Sequence, residues 1–201
     1  MMRISASVLL LMACLNSCAA ATNEPVLGAC DGCEAVFVDM PRRIDWSARI
    51  APVAEKGEAL VLEGTVSGAD GAPAEGIIVY AYHTDAGGVY PAGTTRHGRL
   101  RGWARTDPKG RYRFETIRPG AYPTRDNPQH IHMHVIEPGK ATYYIDEVVF
   151  DDDPLLTAAR RQQLRSGRGG FGESHPVRDA QGVWHVRRDI AVGKNIAGYG
   201  R

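Results

Sequence analysis

The feature that most constrains the fold of this chain is a series of short apolar or alternating segments separated by Gly, Pro and Asp. Alternation with a period of two indicates half-buried strands, and a wholly apolar run indicates a central strand. Six or so such segments predict an all-β fold, an immunoglobulin- or transthyretin-like sandwich with long loops. The segments are EALVLEGTV, IIVYAYH, RYRFETI, HIHMHVIE, YYIDEVVF and VWHVRRDIAV.

Turn residues between these segments add two local predictions. The sequence GWARTDPKGRYRFETI reads as a β-hairpin with a turn at Asp107–Gly110, since Asp, Pro and Gly favour tight turns. The sequence DDPLLTAARRQQLRSG predicts the one short helix, with Asp153 as N-cap, Pro154 in the first helical position and Gly167 after its end.

The N-terminus predicts export. Residues 1–21 combine a basic residue, a short apolar run and small residues, as in a signal sequence that is too short to span a membrane. Either LNSC is a bacterial lipobox and Cys18 carries lipid, or the alanines after it mark ordinary signal cleavage. We expect an exported bacterial protein, periplasmic or membrane-anchored, with an extension over 22–57 and the sandwich over 58–201.

Two cysteines remain outside the signal, Cys30 and Cys33 in CDGC. In an oxidising compartment a structural disulfide is the simplest interpretation. Redox catalysis would require this motif to open a helix after a strand. A zinc site would need two further ligands.

The overall charge excludes one class of function. The chain has 24 Lys and Arg against 23 Asp and Glu, with no long run of either sign. A nucleic-acid-binding surface is therefore not expected.

The segment HIHMHVIE carries the strongest chemical signal. Side chains alternate between the two faces of a strand, so Ile131 and its apolar neighbours face the core while His130, His132 and His134 share the other face. Imidazole is the commonest protein metal ligand. A metal site is favoured over an exposed strand face that merely carries histidine.

Two tyrosines lie in loops rather than in strand patterns. Tyr90 follows Gly-Gly-Val, and Tyr122 lies in RPGAYPTR, whereas Tyr80, Tyr82 and Tyr112 fit strand packing. A phenol loses its proton only near pH 10, so a tyrosinate ligand at neutral pH requires a strong Lewis acid. Such a hard anionic oxygen favours Fe(III).

These motifs together resemble the intradiol ring-cleavage dioxygenases, the family of catechol and protocatechuate dioxygenases. The resemblance covers residues 58 to 153 and rests on four elements in order: Gly-Gly-x-Tyr, the segment TDPKGRYRFETIRPG, Tyr-Pro, and His-x-His. The CDGC segment and the lack of an N-terminal helical region resemble the exported single-domain relatives.

The resemblance implies a non-haem Fe(III) held by two tyrosines and two histidines, which fall on Tyr90, Tyr122, His130 and His132. It also implies a catecholic substrate of aromatic compound catabolism, opened with O2 between its hydroxylated carbons to a muconate-type diacid. His134 is left over, as a donor behind the ligands or a solvent-facing residue.

The sequence departs from the family pattern at the substrate pocket. Asn127 stands where the aromatic-acid members have an arginine, although Arg125 is close by, and Glu147 replaces a pocket glutamine. A carboxylate there would repel a bound catecholate. We therefore expect Tyr90, Arg125, Asn127 and Glu147 to act on the substrate, with the usual substrates in doubt.

Two other functions compete with this interpretation. The segment GTVSGADGAPAEGIIVYAY would also suit a non-catalytic transthyretin- or carboxypeptidase-regulatory-like binding module. Alternatively, His130, His132 and His134 with Glu147 would suit zinc or ferrous iron in another metalloenzyme. His97 with Arg99 and Arg101 is interpreted as a solvated basic turn.

Overall fold

A computed structural model describes residues 25–30, 32–164 and 166–200 as a sandwich of two six-stranded mixed sheets. The predicted all-β fold is therefore confirmed. The predicted export signal, with Cys18, lies outside the described residues. In the described part of the chain, no helix is both long and apolar enough to cross a bilayer.

The first sheet carries the histidine strand near its centre. Its order is β1-β8-β7-β4-β5, and β9 pairs with β8. The central strand β4 is buried at every position, which explains its wholly apolar sequence. The strands are β1 (Val26–Leu27), β4 (Ile78–Tyr82), β5 (Arg101–Arg105), β7 (His130–Glu137), β8 (Ala141–Phe150) and β9 (Glu173–Ser174).

The second sheet closes the other side of the core. Its order is β10-β11-β3-β6-β2, and β12 pairs with β3. The alternating residues of β3 place Leu60, Leu62 and Val66 in the core. The strands are β2 (Ser47–Arg49), β3 (Ala59–Ser67), β6 (Arg111–Ile117), β10 (Val177–Arg178), β11 (Trp184–Arg187) and β12 (Ile190–Ala191).

The extension before residue 58 contributes to both sheets. β1 pairs with β8 in the first sheet and β2 pairs with β6 in the second. Between them lies a short 3₁₀ helix, Cys33–Ala35. The boundary at residue 58 stays a prediction.

The predicted hairpin at Asp107–Gly110 is wrong. The turn itself forms, with the Asp107 carboxylate accepting from the backbone N–H groups of Lys109 and Arg111. However, β5 belongs to the first sheet and β6 to the second, so the turn carries the chain across the sandwich. The same Asp-Pro-x-Gly chemistry serves either connection, and only long-range pairing decides between them.

The predicted helix is shorter than expected. It spans Ala158–Gln163 and its N-cap is Thr157, whose side chain accepts from the backbone N–H of Arg160. Asp153 is not the cap, because its carboxylate accepts from the backbone N–H groups of Gln129 and Leu155. Asp153 therefore ties the residue just before β7 to the turn that precedes the helix.

Candidate metal centre

Two loops and one strand bring the predicted ligand residues together. β7 carries His130 and His132, with His132 opposite Tyr82 of β4. The two tyrosine loops touch through their backbones: a Cβ on Gly88 would lie 1.9 Å from the carbonyl oxygen of Ala121. A Cβ on Gly120 would likewise lie 2.5 Å from the carbonyl oxygen of Ala86, so both glycines are required because a side chain at either would separate the loops.

Four donor atoms converge on one point. The Tyr122 hydroxyl oxygen lies 2.7 Å from that of Tyr90, 3.2 Å from His130 Nε2 and 3.3 Å from His132 Nε2. The two imidazole Nε2 atoms are 3.1 Å apart. Adjacent ligands on bonds of about 2.1 Å that meet near right angles are separated by about 3 Å. The spacing of this set fits a single metal ion.

The histidine tautomers also fit a metal. His130 Nδ1–H donates to the carbonyl oxygen of Pro128 at 2.7 Å, so its Nε2 carries the lone pair. His132 Nδ1 lies 3.1 Å from the Tyr144 hydroxyl. Tyr144 in turn bonds to Glu147, whose carboxylate accepts that hydroxyl proton. This leaves the Tyr144 oxygen to accept from His132 Nδ1–H, the usual arrangement behind a metal-bound histidine.

The electrostatics of the site keep its phenol and imidazole groups uncharged. Burial, then the neighbouring Tyr122 phenol, raises the pKa of Tyr90, and burial raises the pKa of Tyr122. Burial, with the charge of neighbouring histidines, lowers the pKa of His132 well below its usual value. The imidazole is thus a neutral ligand, and only a strong Lewis acid would make the phenols anionic at neutral pH. Two hard phenol oxygens suit a trivalent ion better than zinc.

His132 is backed by an aromatic stack that the sequence did not predict. The Tyr82 ring stacks on His132 with centroids 4.6 Å apart, and on its other side His97 stacks on Tyr82 at 3.7 Å. His97 Nδ1 lies 2.8 Å from the Tyr80 hydroxyl. The solvated basic turn predicted for His97 is wrong at this residue, because His97 is 2% exposed. In the sequence His97 stands alone, outside the His-x-His-x-His segment, so no motif linked it to the site.

The remaining predicted residues line the cleft in front of the donor atoms. This cleft has a volume of about 280 Å³, at the small end for ligand sites and of a size for one substituted ring. Arg125 lies over the Tyr122 ring, with its guanidinium carbon 5.9 Å from the centroid. Glu147 Oε1 lies 3.9 Å from His132 Nδ1. Asn127 completes this wall of the cleft.

His134 lies apart from the converging atoms. It is fully buried rather than solvent-facing, and its ring makes edge contacts with Tyr80 and Tyr144. A ring nitrogen of His134 and the sulfurs of Cys30 and Cys33 all lie within 4.8 Å of one another.

The fold is a two-sheet β-sandwich, and its candidate metal centre brings two tyrosine oxygens and two histidine nitrogens together. Residues 45–168, more than half of the chain, match the family model described as Dioxygenase. The chain therefore belongs to the intradiol dioxygenase family, related to the catechol and protocatechuate dioxygenases.

Similarity to individual relatives is modest. The chain is 32% identical over 112 residues to the protocatechuate 3,4-dioxygenase beta chain of Burkholderia cepacia, covering 50% of this chain and 48% of that protein. It is 29% identical over 151 residues to catechol 1,2-dioxygenase 2 of Acinetobacter lwoffii, covering 60% and 55%. The chain thus spans about half the length of these curated relatives.

Solved structures share the fold. The dioxygenase domain of a dioxygenase–carbohydrate-binding fusion from Streptomyces sp. SirexAA-E superposes with a TM-score of 0.59 at 23% identity, covering 77% of this chain and 89% of that one. Catechol 1,2-dioxygenase from Pseudomonas arvilla C-1 gives a TM-score of 0.61 at 20% identity, covering 79% and 58%. At these identities the likeness concerns the fold.

Proposed function

We propose that this protein is a non-haem Fe(III) intradiol dioxygenase, which opens the ring of a catecholic substrate with O2 to a muconate-type diacid. Tyr90, Tyr122, His130 and His132 are its metal ligands. The observation that carries the proposal is the convergence of two phenol oxygens and two imidazole nitrogens at separations of 2.7 to 3.3 Å. A purely binding sandwich module has no need of such a set.

The bound ferric ion would supply Lewis-acid chemistry, orienting the substrate oxygens and stabilising the charge that develops as the ring opens. The chain's own residues do the rest. One of the two tyrosine oxygens accepts a proton as the catechol enters, because phenolate is a strong enough base for a phenolic proton of similar pKa. Pro128 and Tyr144 hold the histidine rings in place through their Nδ1–H groups.

The walls of the cleft select the substrate. Arg125 offers a positive charge beside Tyr122, and Glu147 offers a negative charge beside His132. Asn127 provides neutral hydrogen-bonding groups where the aromatic-acid members have an arginine. This balance favours a neutral catechol over one with a carboxylate on its ring, since Glu147 would repel that carboxylate.

We further propose that the protein works outside the cytoplasm, periplasmic or anchored through Cys18. The proposal rests on the sequence of residues 1–21.

Oxygen consumption and product analysis test the activity. Iron-loaded protein is mixed with catechol, hydroxyquinol or protocatechuate, and O2 uptake is followed together with the ultraviolet spectrum of the product. We expect one O2 per ring opened and a muconate-type diacid from at least one substrate. Iron-loaded protein that consumes no O2 with any catechol would support the binding-module alternative instead.

A further inference from the structure

Cys30 and Cys33 lie against the outer face of the first sheet. Cys33 opens the 3₁₀ helix and is 3% exposed, while Cys30 is half-buried, and the two form a disulfide. The carbonyl oxygen of Val36 accepts from Trp103 Nε1 at 2.8 Å, and Val36 itself packs among Ile78, Tyr80 and Tyr82. The cysteines are therefore held in place by packing that does not depend on the disulfide alone.

His134 lies within ligand distance of both cysteines. It lies on β7 directly opposite Tyr80 of β4 and Tyr144 of β8. Its imidazole is fully buried, yet one ring nitrogen and both sulfurs lie within 4.8 Å of one another. About a hundred residues of sequence separate His134 from the cysteines, so this arrangement is a product of the fold.

We propose that Cys30, Cys33 and His134 form a second metal site, which takes a thiophilic ion such as Zn²⁺ or Cu⁺ once the disulfide is reduced. Two thiolates and one imidazole are a ligand set that these soft or borderline ions prefer. The site is separate from the Tyr90–Tyr122–His130–His132 centre, which offers hard oxygen donors to a trivalent ion. It does not rest on the dioxygenase activity.

The chemical step balances with a dithiol as reductant. The dithiol gives two electrons and two protons to the S–S bond, which breaks to leave two cysteine thiols, and the dithiol becomes a disulfide. Binding of the ion then releases the two thiol protons to solvent. The oxidised segment binds no ion, because neither sulfur is a thiolate.

The distances favour this exchange. Two sulfurs on one tetrahedral ion, at bonds of about 2.3 Å, lie about 3.7 Å apart. Once the S–S bond is reduced, the two sulfurs can move apart to that distance. A ring nitrogen of His134 already lies within 4.8 Å of both sulfurs. The Trp103–Val36 hydrogen bond keeps the 3₁₀ helix that begins at Cys33 against the sheet. A charged thiolate pair in this buried place is stabilised by a bound cation.

Cadmium titration tests the site, because Cd²⁺ bound to thiolate gives a characteristic ultraviolet charge-transfer band. The chain is used with Cys14 and Cys18 replaced by Ser, so that the CDGC thiols are the only ones. It is reduced with a phosphine, desalted without oxygen and titrated with Cd²⁺. We expect the band to saturate at one ion per chain in the reduced protein and to be absent in the oxidised protein.

Single substitutions assign the ligands. Cys33→Ser should reduce Cd²⁺ affinity by about a hundredfold and His134→Gln by at least about tenfold. His175→Gln, at an exposed histidine paired with Asp151, should leave it unchanged. Circular dichroism shows whether each variant is folded, and Cys30→Ser is a second test should His134→Gln unfold. The band reports sulfur ligation, so the result is independent of iron at the tyrosine–histidine centre.

Two results would overturn the proposal. One is a reduced protein that gives no thiolate band at micromolar Cd²⁺. The other is a band of equal affinity in folded wild type and His134→Gln, which would leave only the two cysteines as ligands.

Discussion

At the scale of single residues, the orientation of the His130 and His132 rings depends on hydrogen bonds at their Nδ1 atoms. The carbonyl oxygen of Pro128 leaves His130 one possible tautomer. For His132 the same role falls to the Tyr144 hydroxyl, which is itself bonded to Glu147. Such partners act on metal affinity without touching the metal.

Removing the Tyr144 hydroxyl should therefore weaken metal binding. In Tyr144→Phe the His132 Nδ1–H loses its acceptor, and we expect iron affinity to fall by about 10- to 100-fold. Tyr143→Phe is the matched control. The Tyr143 side chain lies on the opposite face of β8, and its hydroxyl donates to the Glu137 carboxylate rather than contacting His132. Competition with an iron chelator measures the iron affinity of each variant. Equal affinities in the two variants would contradict the role given to Tyr144.

The charge on Glu147 should act on substrate choice. In Glu147→Gln a negative charge beside the cleft is removed, and at a separation of about 8 Å and an effective dielectric constant of about 40, between the protein and water values, this relieves an anionic substrate by roughly 1 kcal/mol. We expect the kcat/KM ratio of protocatechuate to catechol to rise about fivefold. Steady-state kinetics on both substrates check this, and a ratio that falls or stays constant would refute it.

At the scale of elements, one buried histidine connects the two sheets. His83 directly follows β4 of the first sheet. Its Nδ1–H donates to the carbonyl oxygen of Thr84, and its Nε2 accepts from the Thr116 hydroxyl of β6 in the second sheet. Burial lowers the pKa of His83 to about 4. The folded protein thus holds this imidazole neutral where the unfolded chain would protonate it.

The free energy of unfolding should therefore decrease as the pH is lowered from about 6.5 to about 4. Below about pH 6.5 the unfolded chain binds a proton at residue 83 that the folded protein refuses until about pH 4. This linkage costs roughly 3 kcal/mol of the free energy of unfolding between those values. His83→Gln should be less stable at pH 7 but lose less on acidification. Urea unfolding at pH 7 and pH 4.5 measures both slopes, and parallel slopes would contradict the prediction.

The elements also show what the sequence can predict. The main strands were predicted, and so was the set of two tyrosines and two histidines that the structure brings together, since strand periodicity and the Gly-Gly-x-Tyr and His-x-His motifs are local. Their role as metal ligands stays a prediction. The hairpin at Asp107 and the cap at Asp153 were predicted wrongly. In both cases the turn chemistry was right, but its partners, the second sheet and the Gln129 backbone, are distant in sequence.

At the scale of the whole molecule, one buried arginine connects the two sheets by hydrogen bonds to backbone carbonyl groups. Arg188, between β11 and β12, is 1% exposed. Its guanidinium donates to the carbonyl oxygens of Asp189 at 2.8 Å and Gly170 at 3.1 Å, and reaches that of Asp146 in β8 at 3.4 Å. Burial lowers the pKa of this residue. No local pattern predicts this role, because RRD reads as a surface sequence.

Truncation of Arg188 should be far more costly than truncation of its neighbour. Arg188→Met would leave several buried carbonyl groups without donors, and we expect a loss of about 3 kcal/mol or more. Arg187→Met is the control, since Arg187 is exposed and its pair with Asp189 contributes about 0–1 kcal/mol. Chemical denaturation measures both. Similar losses in the two variants would refute the bridging role.

The whole account depends on four donor atoms sharing one ferric ion, and the visible and resonance Raman spectra of iron-loaded protein test this most directly. We predict a broad tyrosinate-to-iron charge-transfer band with enhanced tyrosine vibrations. Tyr90→Phe and Tyr122→Phe should each shift or bleach this band. Protein that holds one iron per chain yet is colourless, or whose band survives both substitutions, would contradict the account.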